Sequence, residues 1–320
     1  MPALTTCLFR PTAAASAGRL AAGQLIIPWV FSLAQPVSLC ILPSTAAAQE
    51  HVLNPRFSER IFPAHEDAIE ADAFVSLHKL SPEHLRAEED FGCIVINGGC
   101  AISLPSAPAI GLNRVLGLGS VEDLDKAYKW MRARAGNRFL QLNVDAVSDE
   151  VRNWIQIKGL PEHAPGWTKL TRSAPFSNLD APVSVLTRRV QGDESLLFGS
   201  MMCKGFNFPP SLAALWSAIV GKEGWSCFFA LDDETPIGTG AMYVSGSYAW
   251  LGDGTTIPEF RNRGVQKALI QARTDYGIAQ GVLTFVVETE VPSTDKPNIS
   301  YENLRKMGFQ HAYDRKNFKL

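Results

Sequence analysis

The feature that most limits what this chain can become is the run Thr255-Thr-Ile-Pro-Glu-Phe-Arg-Asn-Arg-Gly-Val-Gln-Lys-Ala-Leu-Ile270. A β-like stretch from Tyr248 to Ile257 passes through Pro258 into a turn bearing Arg261, Arg263 and Gly264. Directly afterwards Val265, Ala268, Leu269, Ala272 and Tyr276 repeat at the spacing of one amphipathic helical face. The first turn of such a helix carries unpaired N–H groups, and its dipole places partial positive charge there. Gly264 permits close backbone approach, and Arg261, Arg263 and Lys267 add cationic partners. Strand, turn and helix in this order specify a local anion site of the kind that holds a pyrophosphate.

The anion must be bound locally, because 30 basic side chains are balanced by 32 acidic ones over 320 residues. Nucleic-acid binding needs clustered, uncompensated Lys and Arg, so no nucleic-acid partner is expected. Nucleotide phosphoryl transfer is set aside as well, since the chain has no GxxxxGK[ST]. The six cysteines contain no CxxC and no compact framework, and read as thiols of a reducing compartment. The six histidines are scattered, so no metal site is expected.

Arg10 and Arg19 are the only charged residues among the first 49. Residues 1–50 therefore read as an extension, disordered or targeting. A secretory signal would use the apolar Leu25–Ile27 and Trp29–Phe31 with Ala46 to Ala48 as its cleavage site, and an organellar transit peptide is also acid-poor. Pro28, Pro36, Gln24 and Gln35 weaken a membrane span, and no membrane association is expected for 51–320.

A turn-rich segment at 174–182 reads as a linker between halves at 51–173 and 183–320. In the second half, β-like runs at Val183–Val190, Trp225–Leu231, Pro236–Val244 and Tyr248–Ile257 precede the amphipathic helix. The apolar run Val282–Val287, a helix near Ile299–Lys306 and a last strand follow it. The first half closes in the same order, with Asn153 to Gly159-Leu160 lying parallel to Asn303 to Gly308-Phe309. The parallel suggests a tandem duplication. Glu122, Asp123 and Asp125 stand where the first copy would need an anion site, and would repel a pyrophosphate. Trp154, Trp167 and Phe139 read as core.

The run Arg261-x-x-Gly264-x-Gln266 resembles the CoA-binding signature of the GNAT superfamily of acyl-CoA N-acyltransferases, Gln/Arg-x-x-Gly-x-Gly/Ala. Asn298-Ile-Ser-Tyr-Glu-Asn303-Leu-Arg-Lys-Met-Gly308-Phe309 is similar to the family's late helix ending in Gly-Phe, and the two matches cover most of 183–320. The resemblance implies an α/β (α+β) fold of two GNAT-like domains, each a mixed, mostly antiparallel central sheet flanked by helices. The first would be degenerate and the second catalytic. It implies acetyl-CoA as cosubstrate, bound by Thr256, Ile257, Arg261, Arg263, Gly264, Val265, Gln266, Lys267, Ala268, Asn298 and Asn303. Acetyl would pass by direct attack to the primary amine of a small molecule or peptide. The chain departs from the pattern at Gln266, where phosphate binding survives if the side chain points outward, and at Leu304, where the family often has a Tyr acid.

Direct attack needs a neutral amine, hence a general base, and donors for the oxyanion. By the resemblance, the donors are backbone amides around Thr256 and Ile257. Asp253, Glu288 and Glu290 are the carboxylates able to face the cleft, the last two on one strand face. Tyr301, one turn before Leu304, is the substitute acid. The alternative is a non-catalytic CoA-binding sensor or interaction protein. A monomer or homodimer in the cytoplasm is expected, since acyl-CoA is intracellular, unless residues 1–49 direct the chain to an organelle or for export.

Overall fold

Two strand-rich stretches meet edge to edge in one sheet. The computed structural model describes residues 64–174, 184–293, 295 and 297–320. The extension expected over 1–50, and all but the first residue of the 174–182 linker, lie outside the described residues. The first stretch contains α1 (His65–Leu80), α2 (Glu83–Ala87), β1 (Gly92–Ile96), β2 (Gly99–Ser103), β3 (Asn113–Leu116), α3 (Val121–Arg132), β4 (Phe139–Leu142), α4 (Asp149–Ile157) and β5 (Glu162–Ser173). The second contains β6 (Leu186–Arg189), α5 (Ser195–Phe206), α6 (Ala213–Ser217), β7 (Trp225–Asp232), β8 (Thr235–Ser245), β9 (Tyr248–Trp250) and β10 (Thr255–Thr256). It ends with α7 (Val265–Ala279), β11 (Thr284–Glu290), α8 (Ile299–Lys306) and β12 (Gln310–Lys319).

The fold is mixed α/β with a mostly antiparallel sheet flanked by helices, as expected. Strand order is β1-β2-β3-β4-β12-β5-β11-β9-β8-β7-β6, with β10 on β8. The run β1-β2-β3-β4 has antiparallel, antiparallel and parallel pairings. The run β7-β8-β9-β11 repeats those senses. Each run then receives the last strand of the other stretch: β12 pairs with β4 and β5 pairs with β11. The two exchanged strands also pair with each other. The described residues accordingly fall within one compact unit.

Side-chain alternation makes the sheet two-faced. On β2, Cys100 and Ile102 join the cluster containing Phe74 and Leu77 of α1, whereas Ala101 joins Leu124 and Met131 of α3. On β8, Ala241 belongs to the first face and Met242 packs with Ile270 of α7. Burial of each large apolar side chain contributes about 1.5–3 kcal/mol. Gly159 and Gly308 end α4 and α8 at φ 63° and 82°. No helix among the described residues is long and apolar enough to cross a membrane.

The continuous strand expected over Tyr248–Ile257 is divided. β9 runs beside β11 only from Tyr248 to Trp250, and the amide of Leu251 makes a last bond to Val286 O at 2.8 Å. Asp253 then takes a left-handed φ of 51°, between Gly252 and Gly254, and the chain re-enters the sheet as β10 on β8 alone. The edge of β11 from Val287 to Glu290 is thereby parted from its neighbour. That splay positions the site.

Candidate active site

The N-terminus of α7 opens on a groove. Gly264 is the N-cap residue at φ 84°, and no side chain caps the helix. Ala268 N bonds to Gly264 O at 3.0 Å, so the amides of Val265, Gln266 and Lys267 lack helical acceptors. Arg261, Gly264, Val265, Gln266 and Lys267 line one wall of a 510 Å³ groove, and Ser300 and Asn303 of α8 line the other. The Arg261 side chain has no hydrogen-bond or ion-pair partner among the described residues, and only its backbone amide is engaged, donating to Pro258 O at 3.3 Å. In contrast, α3 is capped by its own side chains: Ser120 Oγ accepts from the Asp123 amide at 3.2 Å and donates to its carboxylate at 2.7 Å. Asn97 also donates to Asp123, and together these bonds hold that carboxyl below its usual value.

Several expected ligands of the groove face elsewhere. Arg263 turns toward Asp232, at 3.8 Å, and lies 5.0 Å over the Phe260 ring. Ala268 is buried beneath α7 with its amide inside the helix. Asn298 caps α8, accepting from Tyr301 N at 3.0 Å and donating to Glu290 O at 2.6 Å. Gln266 points neither to solvent nor into the helix start. Its amide donates to Ser300 Oγ at 3.1 Å and accepts from Asn303 Nδ2 at 2.7 Å, joining α7 to α8.

Phe206, Gly254, Thr255, Thr256, Gln266 and Ser300 are shared between this groove and a second cavity of 420 Å³. The shared segment is where the splay begins. Ile257 N donates to Ile237 O at 3.0 Å, so this expected oxyanion donor is already engaged and its side chain is buried. Antiparallel pairs alternate between bonded and non-bonded. Since Thr256 faces Gly238 one step from the bonded pair, its amide turns away from β8, toward the splay. Of the two expected donors, only Thr256 is available.

Asp253, Glu288 and Glu290 all line the cavity. Burial raises Asp253 to about 6, with repulsion from Glu288 adding to the rise, while Trp216 and Arg273 hold it down in part. Trp216 Nε1 is buried and has no hydrogen-bond partner among the described residues. Arg273 bridges Ala241 O and Gly252 O, both at 2.9 Å, and so braces the excursion that carries Asp253.

Glu288 is committed differently. Arg114 Nη1 lies 3.0 Å from its carboxylate, and Arg315 also pairs with it. Arg114 and Arg315 pair in turn with Glu70 at 2.6 and 2.9 Å, and Lys169 pairs with Glu70 too. Asp67 completes the cluster through Arg315 at 3.1 Å. Three carboxylates thus meet three cations in a buried, formally neutral network joining α1, β3, β5, β11 and β12. Although burial pushes Glu70 up, Arg114, Arg315 and Lys169 hold it well below its ordinary value. Burial raises Glu288, and Glu70 beside it adds to the rise.

Tyr301 packs near Leu304 and Met307 and lines neither cavity, whereas Leu304 does face the cavity. Trp154 and Phe139 are core residues, but Trp167 is a cavity wall. β5 crosses beside β11, where Trp167 stands opposite Glu290, away from the first stretch's core. The other walls were not anticipated: Phe74 and Leu77 of α1, the segment 109–112, Phe206, Phe208 and Trp216. The sequence Phe206-Asn-Phe-Pro-Pro210 carries a signal, since Asn207 ends α5 at φ 57° between Phe206, the last helical residue, and Phe208 just beyond it.

Residues 197–309 match the sequence model described as Acetyltransferase (GNAT) family. No curated protein gives a significant sequence match. Among solved structures, the chain is similar to a GCN5-related N-acetyltransferase from Kribbella flavida at 12% identity and TM-score 0.53, over 79% of this chain and 95% of that one. A GCN5-related N-acetyltransferase from Sphaerobacter thermophilus is similar at 16% identity and TM-score 0.49, covering 62% and 66%. A tandem GNAT protein from the clavulanic acid biosynthesis pathway is similar at 14% identity and TM-score 0.45, covering 79% and 92%. The first of these likenesses bears on the fold.

Proposed function

We propose, from the match of residues 197–309 to the Acetyltransferase (GNAT) family, that the protein is an acetyltransferase that passes acetyl from acetyl-CoA to a primary amine. The observation that carries the reading is continuity: the uncapped start of α7 and the carboxylate of Asp253 open on cavities sharing the Gly254–Thr256 segment. The groove suits the pyrophosphate, with Arg261, Lys267 and the first amides of α7 as its partners. The splay then directs the thioester toward Thr256.

The amine enters as an ammonium and gives a proton to Asp253. Burial raises a carboxylate and lowers an ammonium, so the site narrows the gap between the two groups. The neutral nitrogen forms its bond to the thioester carbon while the carbonyl π pair moves to oxygen, where the Thr256 amide donates. Collapse of the tetrahedral adduct breaks the C–S bond, and the thiolate takes the proton that Asp253 holds. The amide product's extra proton then passes to the freed Asp253 carboxylate or to water and leaves to solvent. Tyr301 has no part in this route.

The two stretches are read as two GNAT-like copies, the first without an anion site and contributing walls to the second. A CoA-binding sensor is the second reading, favoured by Gln266 bridging the groove and by Leu304 in the acid's place. Thiol release from acetyl-CoA with a panel of amines separates the two. Turnover supports transfer, and acetyl-CoA binding without turnover supports the sensor.

A further inference from the structure

The cavity beyond the splay has a chemistry of its own. Its walls are aromatic and aliphatic, contributed by Phe74, Leu77 and Leu112 from the first stretch and Phe208, Trp216 and Trp250 from the second. Phe208 stacks on Trp216 at 5.3 Å with 12° between planes, and Phe74 meets Trp250 at 5.3 Å with a 55° tilt. A volume of 420 Å³ is within the range of small-molecule sites. Three carboxylates line it, but Glu288 is neutralised by Arg114 and Arg315. Asp253 and Glu290 have no ion-pair partner among the described residues, and only Asp253 adjoins the segment shared with the groove.

We infer that the acceptor is a hydrophobic monoamine, an aryl or arylalkyl body bearing one primary ammonium, with the body against the aromatic walls and the ammonium at Asp253. The inference rests on the acyl-transfer reading and names the acceptor class that reading leaves open. A polyamine or aminoglycoside would bring more ammonium groups than the two unpaired carboxylates, Asp253 and Glu290, can compensate, and each uncompensated charge against the aromatic walls opposes binding. A peptide would bring amides and carbonyls needing partners that phenyl and indole faces do not supply. A flat aryl ring loses no hydrogen bond on entering and gains contact with stacked rings.

The test is steady-state thiol release by the full chain at saturating acetyl-CoA, with phenethylamine and tryptamine compared with spermine, kanamycin and a short unblocked peptide. Expected is a kcat/KM for the arylalkylamines at least about 100-fold above the others, as for discrimination by several unsatisfied polar groups. In Phe208→Ala, KM for phenethylamine should rise about tenfold while KM for acetyl-CoA stays unchanged, as for loss of one packed aromatic wall. If that variant does not fold, the wild-type ranking decides. Equal or better turnover of spermine, kanamycin or the peptide overturns the acceptor class and leaves acyl transfer standing. Thiol release with none of the amines overturns both.

Discussion

At the residue scale transfer turns on Asp253, because its part-buried carboxylate lies at the splay without an ion pair among the described residues while Glu288 is shared between two arginines. Asp253→Asn should lower kcat about 100-fold or more, the usual effect of losing a general base. With the carboxyl at about 6, activity needs its ionised form, so kcat/KM for the amine should fall below pH 6 in the wild type. That acid limb should vanish in Asp253→Asn. Gln266→Ala removes two hydrogen bonds between α7 and α8 but no backbone donor. It should cost about 1–2 kcal/mol of stability in denaturant melts and leave acetyl-CoA affinity within about threefold. Asp253 and Glu288 were legible as strand-end carboxylates, but their division was not. Arg114 stands 174 residues from Glu288 along the chain, and no local pattern announces that pairing.

At the scale of the element, α7 and α3 occupy equivalent places in the two strand runs and differ at their first turns. Ser120 and Asp123 close one N-terminus, while Gly264 leaves the other open. This contrast was readable from Glu122, Asp123 and Asp125 against Arg261, Gly264 and Lys267. The turn's finer geometry was not, because Arg263 is drawn to Asp232 at the end of β7, 31 residues earlier in the chain. Arg261→Ala should therefore weaken acetyl-CoA binding about tenfold in calorimetric titration, in keeping with loss of one charge-assisted phosphate contact, and Arg263→Ala about threefold or less. A larger effect at Arg263 than at Arg261 would place the pyrophosphate outside the groove. The break of Tyr248–Ile257 into β9 and β10 also escaped the sequence, since alternation continues through it and only Gly252 and Gly254 hint at the excursion.

At the scale of the whole molecule, exchange of β5 and β12 explains why the first stretch supplies α1, the 109–112 segment and Trp167 to a site whose anion-binding turn lies in the second. The second half's strands, apart from the break at β9 and β10, and its two late helices are legible from periodicity, whereas nothing local marks α1, β1 and β2, and strand exchange leaves no local trace. The network of Asp67, Glu70, Glu288, Arg114, Lys169 and Arg315 pins this arrangement. Glu70→Gln leaves cations unpaired in the interior and should cost about 3–5 kcal/mol. Because the folded Glu70 is held well below its ordinary value, its stabilisation is fully present above about pH 4.3 and is lost as pH falls through the folded value. Chemical melts of Glu70→Gln should accordingly lose less stability on acidification than the wild type. The central claim, that the splay joins an acyl-CoA groove to an amine cavity, is tested most directly by following CoA thiol release when phenethylamine is added to the full chain with acetyl-CoA, with mass analysis of the product. The account predicts amine-dependent release matched by N-acetylphenethylamine and reduced about 100-fold or more in Asp253→Asn. Tight acetyl-CoA binding with no amine-dependent thiol release, from any amine of the panel, would contradict it.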